Sequence, residues 1–250
     1  MTVLARRRGL IGLSLFSLAI VGLLIGLGVW QLQRRTAKHA LLAALSERLT
    51  ASPGALPAAA TWPSLTPATD EFRRVTFTAV LKPLPDAMVY GSGSAVRPDA
   101  VGPVTWAFLP AQLPSGETIA INAGFVQNTM QDRAQQDRAV QRLITGAPVA
   151  MTGYLRFPEA AGSLTATADA GKRLWFTRDI GAMADQLGWG EVAPFYIDLE
   201  SPVPPSGVPK PGPLEVRIKD DHLQYAITWF GLAAAVAGAF GVWVKGQRRV

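Results

Sequence analysis

The chain of 250 residues is 49% hydrophobic and 17% charged, with 19 prolines, 24 glycines and no cysteine. The absence of cysteine excludes a disulfide framework, a thiol nucleophile and a cysteine zinc site. Its pI near 10 would suit a polyanion partner, but residues 39–221 carry 15 basic and 18 acidic side chains, and the other nine basic residues flank two apolar runs. The basicity is membrane-flanking charge, which speaks against a nucleic-acid partner.

Residues 10–32 form the first run, 23 uncharged positions preceded by Arg6, Arg7 and Arg8 and followed by Arg34 and Arg35. A signal-peptide core spans about 7–15 residues and ends at a small-residue cleavage site. This run is longer and ends in Val29-Trp30-Gln31, so it reads as a retained transmembrane helix behind a tail of residues 1–9. Gly22 and Gly26 stand four apart on it, as Gly231, Ala235 and Ala239 do on the second run. Such stripes let helices approach closely. The simpler expectation is that the two spans pack on each other through them; the functional one is docking onto another membrane protein.

Residues 33–70 read as a helical extension to about Arg48, then an extended linker rich in Ala, Pro, Ser and Thr from Thr50 to Asp70. The segment 71–221 reads as a domain. Val75, Phe77, Ala79 and Leu81 alternate with Arg74, Thr76, Thr78 and Val80, a half-buried strand, and Gly91-Ser-Gly is a turn. Val104–Leu109, stopped by Pro110, and Ile119–Phe125, entered through Ser115-Gly116, pair as a hairpin. Thr129-Met-Gln-Asp132 resembles a capping box opening a polar helix to about Leu143. Strands are expected at 149–157, 174–177, 195–199 and 214–218, with a helix over 178–187 stopped by Gly188. Residues 201–213 hold six prolines and predict a stiff connector. The second span covers 222–244, with a tail of 245–250. The predicted fold is membrane-anchored α+β: two transmembrane helices flanking a mostly antiparallel, β-rich domain with inserted helices. Positive charges are equally numerous at the two ends of the spans, so they do not choose an orientation.

The two histidines, His39 and His222, lie at the membrane boundaries, so a Ser-His-Asp triad inside the domain is impossible. No phosphate-binding glycine loop occurs, and no carboxylate pair stands out from solvated surface acids. The chain does not read as an enzyme. His222, Tyr225, Ala226 and Trp229 fall at spacings of three, four and seven, which a helix puts on one face. An imidazole there can be an ordinary helix-end group and the rings an ordinary aromatic belt. As a site, His222 would supply a ligand nitrogen, Asp220 or Asp221 would hold its other ring N–H, and Tyr225 and Trp229 would offer flat apolar surface to a macrocycle. His39 reads as solvent-facing.

Five stretches in order resemble the Surfeit-locus cytochrome c oxidase assembly proteins. Trp30-Gln31 with Arg34 resembles that family's WQxxR, Gly116–Val126 its strand ending in Asn-Arg-Gly-Trp-Val-Pro, and Gly153-Tyr-Leu-Arg156 before Pro158-Glu159 its GxLR-xPE. Trp175-Phe-Thr-Arg178-Asp179 is similar to its W-x-x-R-D, and His222-Leu-Gln-Tyr-Ala-Ile-Thr-Trp229 to its HLQYAxTW. Two of the motifs depart: Ala123 stands where one has arginine and Gln127 where it has proline, and Asp220-Asp221 stand where asparagine is usual before the histidine. The arginine's role therefore does not carry over.

The resemblance implies a multi-pass protein of the bacterial inner membrane, its central domain in the periplasm. It implies a part in maturing cytochrome c oxidase by holding or delivering haem a to the catalytic subunit, with the haem a biosynthesis machinery as a further partner and lipid around the spans. The family's histidine at the position of His222 is the one linked to haem iron; Tyr225, Trp229, Trp30 and Gln31 would frame the macrocycle. The alternative is a cofactor-free membrane scaffold that stabilises a nascent oxidase subunit. An extracytoplasmic sensor is disfavoured, because tails of nine and six residues leave no room for an output domain.

Overall fold

A computed structural model describes residues 3–127, 133–159, 161–163, 165–216 and 220–247, the side chains of residues 3–10 excepted. Contacts divide the chain into two units, Met1–Ala43 with Ile218–Val250, and Ala44–Arg217. The capping box expected at Thr129–Asp132 lies outside the described residues.

The first unit is built from helix α1 (Val3–Thr50), whose last turns belong to the second unit, and helix α5 (His222–Gln247). Both are long and apolar enough to cross a membrane. The spans do pack on each other, but not through the expected glycine stripes. Gly22, Gly26 and Gly231 have open space around them, and Ala235 and Ala239 are exposed. The contact runs instead along Ser17, Gly28 and Gln31 of α1 and Ala226, Phe230 and Ala233 of α5. A Cβ on Gly28 would stand 2.6 Å from the Phe230 ring. At 100° per residue, Gly22 and Gly26 lie well off the face that Gly28 defines; spacing within one helix cannot say which of two small-residue faces a partner takes.

The second unit is an eight-stranded sheet: β1 (Gly54–Ala55), β2 (Arg74–Leu81), β3 (Ala87–Ser92), β4 (Pro103–Gln112), β5 (Thr118–Gln127), β6 (Val149–Arg156), β7 (Leu174–Trp175) and β8 (Tyr196–Ser201). The order is β1-β2-β6-β8-β5-β4-β3-β7, and β2 also pairs with β4. That last pairing closes β2, β6, β8, β5 and β4 into a ring, from which β1 and the β3–β7 pair branch. Pairings are antiparallel except β1–β2, β3–β7 and β5–β8.

One apolar cluster draws on all five ring strands, including Val75, Leu109, Ile121, Met151 and Ile197, and fills the interior. A second lies on the outer face of β3, β4, β5 and β8. There Trp106, Phe108, Phe125 and Tyr196 are covered by Trp175, Trp189 and helix α4 (Ile180–Leu187), which Asp179 caps and Gly188 stops in the left-handed region. Both faces of β5 are therefore buried.

Three further expectations need correction. Pro110 does not end its strand: β4 continues to Gln112. The Pro110 carbonyl accepts from Lys82 N–H at 2.9 Å, so its nitrogen faces the same edge. There β3 has ended opposite Phe108 and β2 begins opposite Ala111, and no ladder donor is required. The segment from Thr50 to Asp70 is no loose linker. It contains β1, a 3-10 helix at Ala59–Ser64 and helix α2 (Pro67–Asp70), with Trp62 buried edge-on against Phe195 at 5.3 Å. Residues 214–216 form no strand, whereas Ala87–Ser92, read only as a turn at its end, is strand β3. Between β5 and β6 lies the polar helix α3 (Arg133–Gln141).

Candidate functional site

The sequence places His222 at the first position of α5 because Asp220 caps the helix: its Oδ1 accepts from the His222 backbone N–H at 3.0 Å. Oδ2 of the same carboxylate accepts from Nε2 of His39 at 2.5 Å and lies 3.7 Å from Arg35. The His222 amide and the His39 ring hold the Asp220 carboxyl below the usual carboxylate range. His39 is therefore not merely solvent-facing, as its sequence context suggested: α1 brings it to the carboxylate that starts α5.

The partner of the His222 ring also differs from expectation. Neither Asp220 nor Asp221 holds it. Nδ1–H donates to Oε1 of Gln31, 191 positions away, at 2.8 Å. An amide oxygen can only accept, so this bond puts a proton on Nδ1. Asp220 is unavailable because its two oxygens are committed to the helix cap and to His39.

Of the site residues expected from sequence, the fold brings His222 and Gln31 together and stands Trp229, half-buried, on the same helix. Trp30 and Tyr225 point outward, 47% and 55% exposed, with the Arg34 guanidinium 5.5 Å over the Trp30 ring. Ala226 is buried between the helices, so the face carrying Tyr225 and the face carrying Ala226 have parted. The unit thus offers a membrane-boundary imidazole of fixed tautomer flanked by outward-facing aromatic surface.

In the second unit the remaining motifs converge on Asp198 of β8. Asn122 Nδ2 donates to its Oδ1 at 2.5 Å and Arg156 to its Oδ2 at 2.8 Å. Arg156 also donates to Glu71 at 2.6 Å and lies 4.4 Å over the Phe72 ring. Burial alone would lower the Arg156 pKa, but the carboxylates of Asp198 and Glu71 outweigh it and raise it. Arg178 pairs with Glu159 at 2.5 Å and lies over Trp106. Both arginines are matched by carboxylates, so the cluster ties β5, β6 and β8 to the turn after α2. Sequence reading found Asn122, Arg156 and Arg178 through motifs but missed Asp198 and Glu71, which carry no local pattern. Among the described residues no group of three or more His, Cys, Asp and Glu side chains could hold a metal ion.

The model of the SURF1 family matches residues 18–234. The chain belongs to the SURF1 family. It is 30% identical to Surfeit locus protein 1 of Rattus norvegicus over 239 residues, covering 90% of this chain and 73% of that protein. It is 28% identical to a SURF1-like protein of Monosiga brevicollis over 254 residues, 98% of this chain and 90% of that one. With Surfeit locus protein 1 of Homo sapiens it shares 30% identity over 226 residues, 85% and 71% of the two chains. Membership in the SURF1 family places the chain among factors for cytochrome c oxidase assembly, which are not enzymes.

Proposed function

We propose that the chain serves oxidase assembly by holding haem a where Gln31 and His222 meet, and by passing it to the catalytic subunit of cytochrome c oxidase. The observation that carries this reading is the hydrogen bond from His222 Nδ1–H to Gln31. Histidines that ligate a metal commonly donate their other N–H to a carbonyl or carboxylate, which fixes the ring and raises its basicity. Nε2 then has the lone pair an iron requires, and it makes no hydrogen bond among the described residues. His222 would hold the iron of haem a, which would also bring a broad apolar macrocycle. Trp229, Tyr225 and Trp30 supply ring surface for that macrocycle. In this reading the Ala44–Arg217 unit lies in the periplasm of a bacterial inner membrane, and the haem a biosynthesis machinery is the donor.

A second reading is a scaffold without cofactor, in which the spans dock on a nascent oxidase subunit. Its support is the exposure of Gly22, Gly26, Gly231, Ala235 and Ala239, surfaces the internal packing leaves open.

The test is the absorption spectrum of the full chain purified from cells making haem a. The wild type is expected to carry haem with an imidazole-ligated spectrum. His222→Ala should insert normally, lose haem or shift its spectrum, and lower oxidase activity. Gln31→Ala should weaken haem retention about 10–100-fold, the usual cost of removing a partner that orients a ligand. Full oxidase assembly by His222→Ala, with haem of unchanged spectrum, would leave the scaffold as the function.

A further inference from the structure

The ring of five strands is filled by side chains along most of its length, yet one end opens into a cavity of about 640 Å³. Its floor is Leu81, Ala123, Met151 and Leu199, all part of the interior core. The small side chain of Ala123 keeps that volume open. One wall is the chain leaving α3, including Leu143; the other is the proline-rich stretch 202–206, including Val203.

The polar groups lining the cavity define what it can take. Thr145 Oγ1 already accepts from Ala147 N–H, and Ser206 Oγ donates to the Val208 carbonyl at 2.9 Å. Among the described residues, Arg142 is the only charged one of the lining. Its Nε donates to the Arg138 carbonyl at 3.2 Å, and its two terminal nitrogens make no hydrogen bond among the described residues. A largely apolar cavity of this size with one charged group at its rim has the anatomy of a small-molecule site.

We propose that this cavity binds a single-chain amphiphile with an anionic head, a long-chain carboxylate: the chain enters the mouth of the ring and the carboxylate pairs with Arg142. A guanidinium with free terminal nitrogens matches a carboxylate in geometry and charge. The apolar floor asks for a ligand body that needs no hydrogen bonds. The proposal is independent of the haem reading, since none of the lining residues belongs to the spans.

The test uses the full chain in nanodiscs of neutral phosphatidylcholine and a palmitate analogue carrying a photoreactive diazirine. Peptide mass spectrometry after irradiation should place adducts within 142–151 and 199–206. Palmitate should compete about tenfold better than hexadecanol, the worth of a hydrogen bond to a charged group, and Arg142→Gln should abolish that preference. Ala123→Leu fills the floor and should reduce labelling about tenfold, the scale on which apolar pockets respond to added methylenes. Val203→Asp, at an exposed wall position, should do the same without burdening the core. Labelling confined to the spans, cavity labelling unmoved by either filling or charging the pocket, or competition by two-chain phospholipid alone would overturn the proposal.

Discussion

Asp99 accepts from Arg97 Nε at 2.9 Å and lies 3.0 Å from Lys210 Nζ, and these cations hold its carboxyl at about 2 against an ordinary 3.8. The folded state prefers the ionised form, so Asp99 contributes stability that is present above about pH 4 and lost as pH falls towards 2. Asp86 is placed oppositely. Burial pushes its carboxyl above 3.8, against the pull of Arg173 and Arg133, and Asp137 adds to the rise. Here the folded state keeps a proton the unfolded chain has released, so stability declines as pH rises from 3.8 through the folded value. Denaturant unfolding of the full chain in detergent across pH 2.5–7 checks both signs. The deficit of Asp99→Asn, about 0.5 kcal/mol for a partly exposed pair, should shrink towards the acid end. The deficit of Asp86→Asn should be largest there and shrink as pH rises. Parallel trends in the two variants would rule out burial as the control at Asp86.

At the scale of elements, the stretch Asn122-Ala-Gly124-Phe125 shows how a strand can hold a connector. Gly124 has φ +109°, and a Cβ there would lie 2.2 Å from the carbonyl carbon of Lys210. The close approach lets Lys210 N–H donate to the Phe125 carbonyl at 2.8 Å, and Phe125 N–H return to Lys210 at 3.3 Å. Residues 201–213, expected as a stiff connector, are pinned to β5, and Arg97 adds bonds to the carbonyls of Lys210, Pro211 and Gly212. Gly124→Ala meets both a forbidden conformation and backbone atoms that cannot yield, and should cost about 3 kcal/mol or more. Gly116→Ala shares the strained φ, +106°, but has open space, and should cost about 1 kcal/mol. Thermal melts rank the two, and limited proteolysis should cut 201–213 faster only in Gly124→Ala. Equal melting losses would show that conformation alone, not the Lys210 contact, sets the requirement.

For the whole molecule, the decisive property is that one chain passes through two apolar helices and a closed strand ring. Two spans require residues 1–9 and 245–250 to share a side and the central unit to lie on the other. The proposed periplasmic placement of the central unit predicts that a reporter active only outside the cytoplasm is active when fused after Thr50 and silent when fused after Val250. The reverse pattern would invert the orientation and, with it, the side from which haem would reach His222 in the proposed function.

The sequence by itself determined the two spans, because about 20 uncharged residues is a length that the bilayer reads directly. It determined most strands and α4 as well, since alternation, caps and stop glycines are local signals, and it carried the family through five ordered motifs. Only the tertiary structure decided the closure of the ring, because the β2–β4 pairing joins strands whose sequences show nothing of their neighbours. Likewise, only the folded chain selected Gly28 over Gly22 and Gly26 for the helix contact, and Gln31 over the adjacent aspartates for the His222 ring. Asp220 looked like the natural partner by proximity in sequence. Once α5 begins at His222, however, that carboxylate is needed as its cap, and the ring turns to the amide that α1 brings across from 191 positions away.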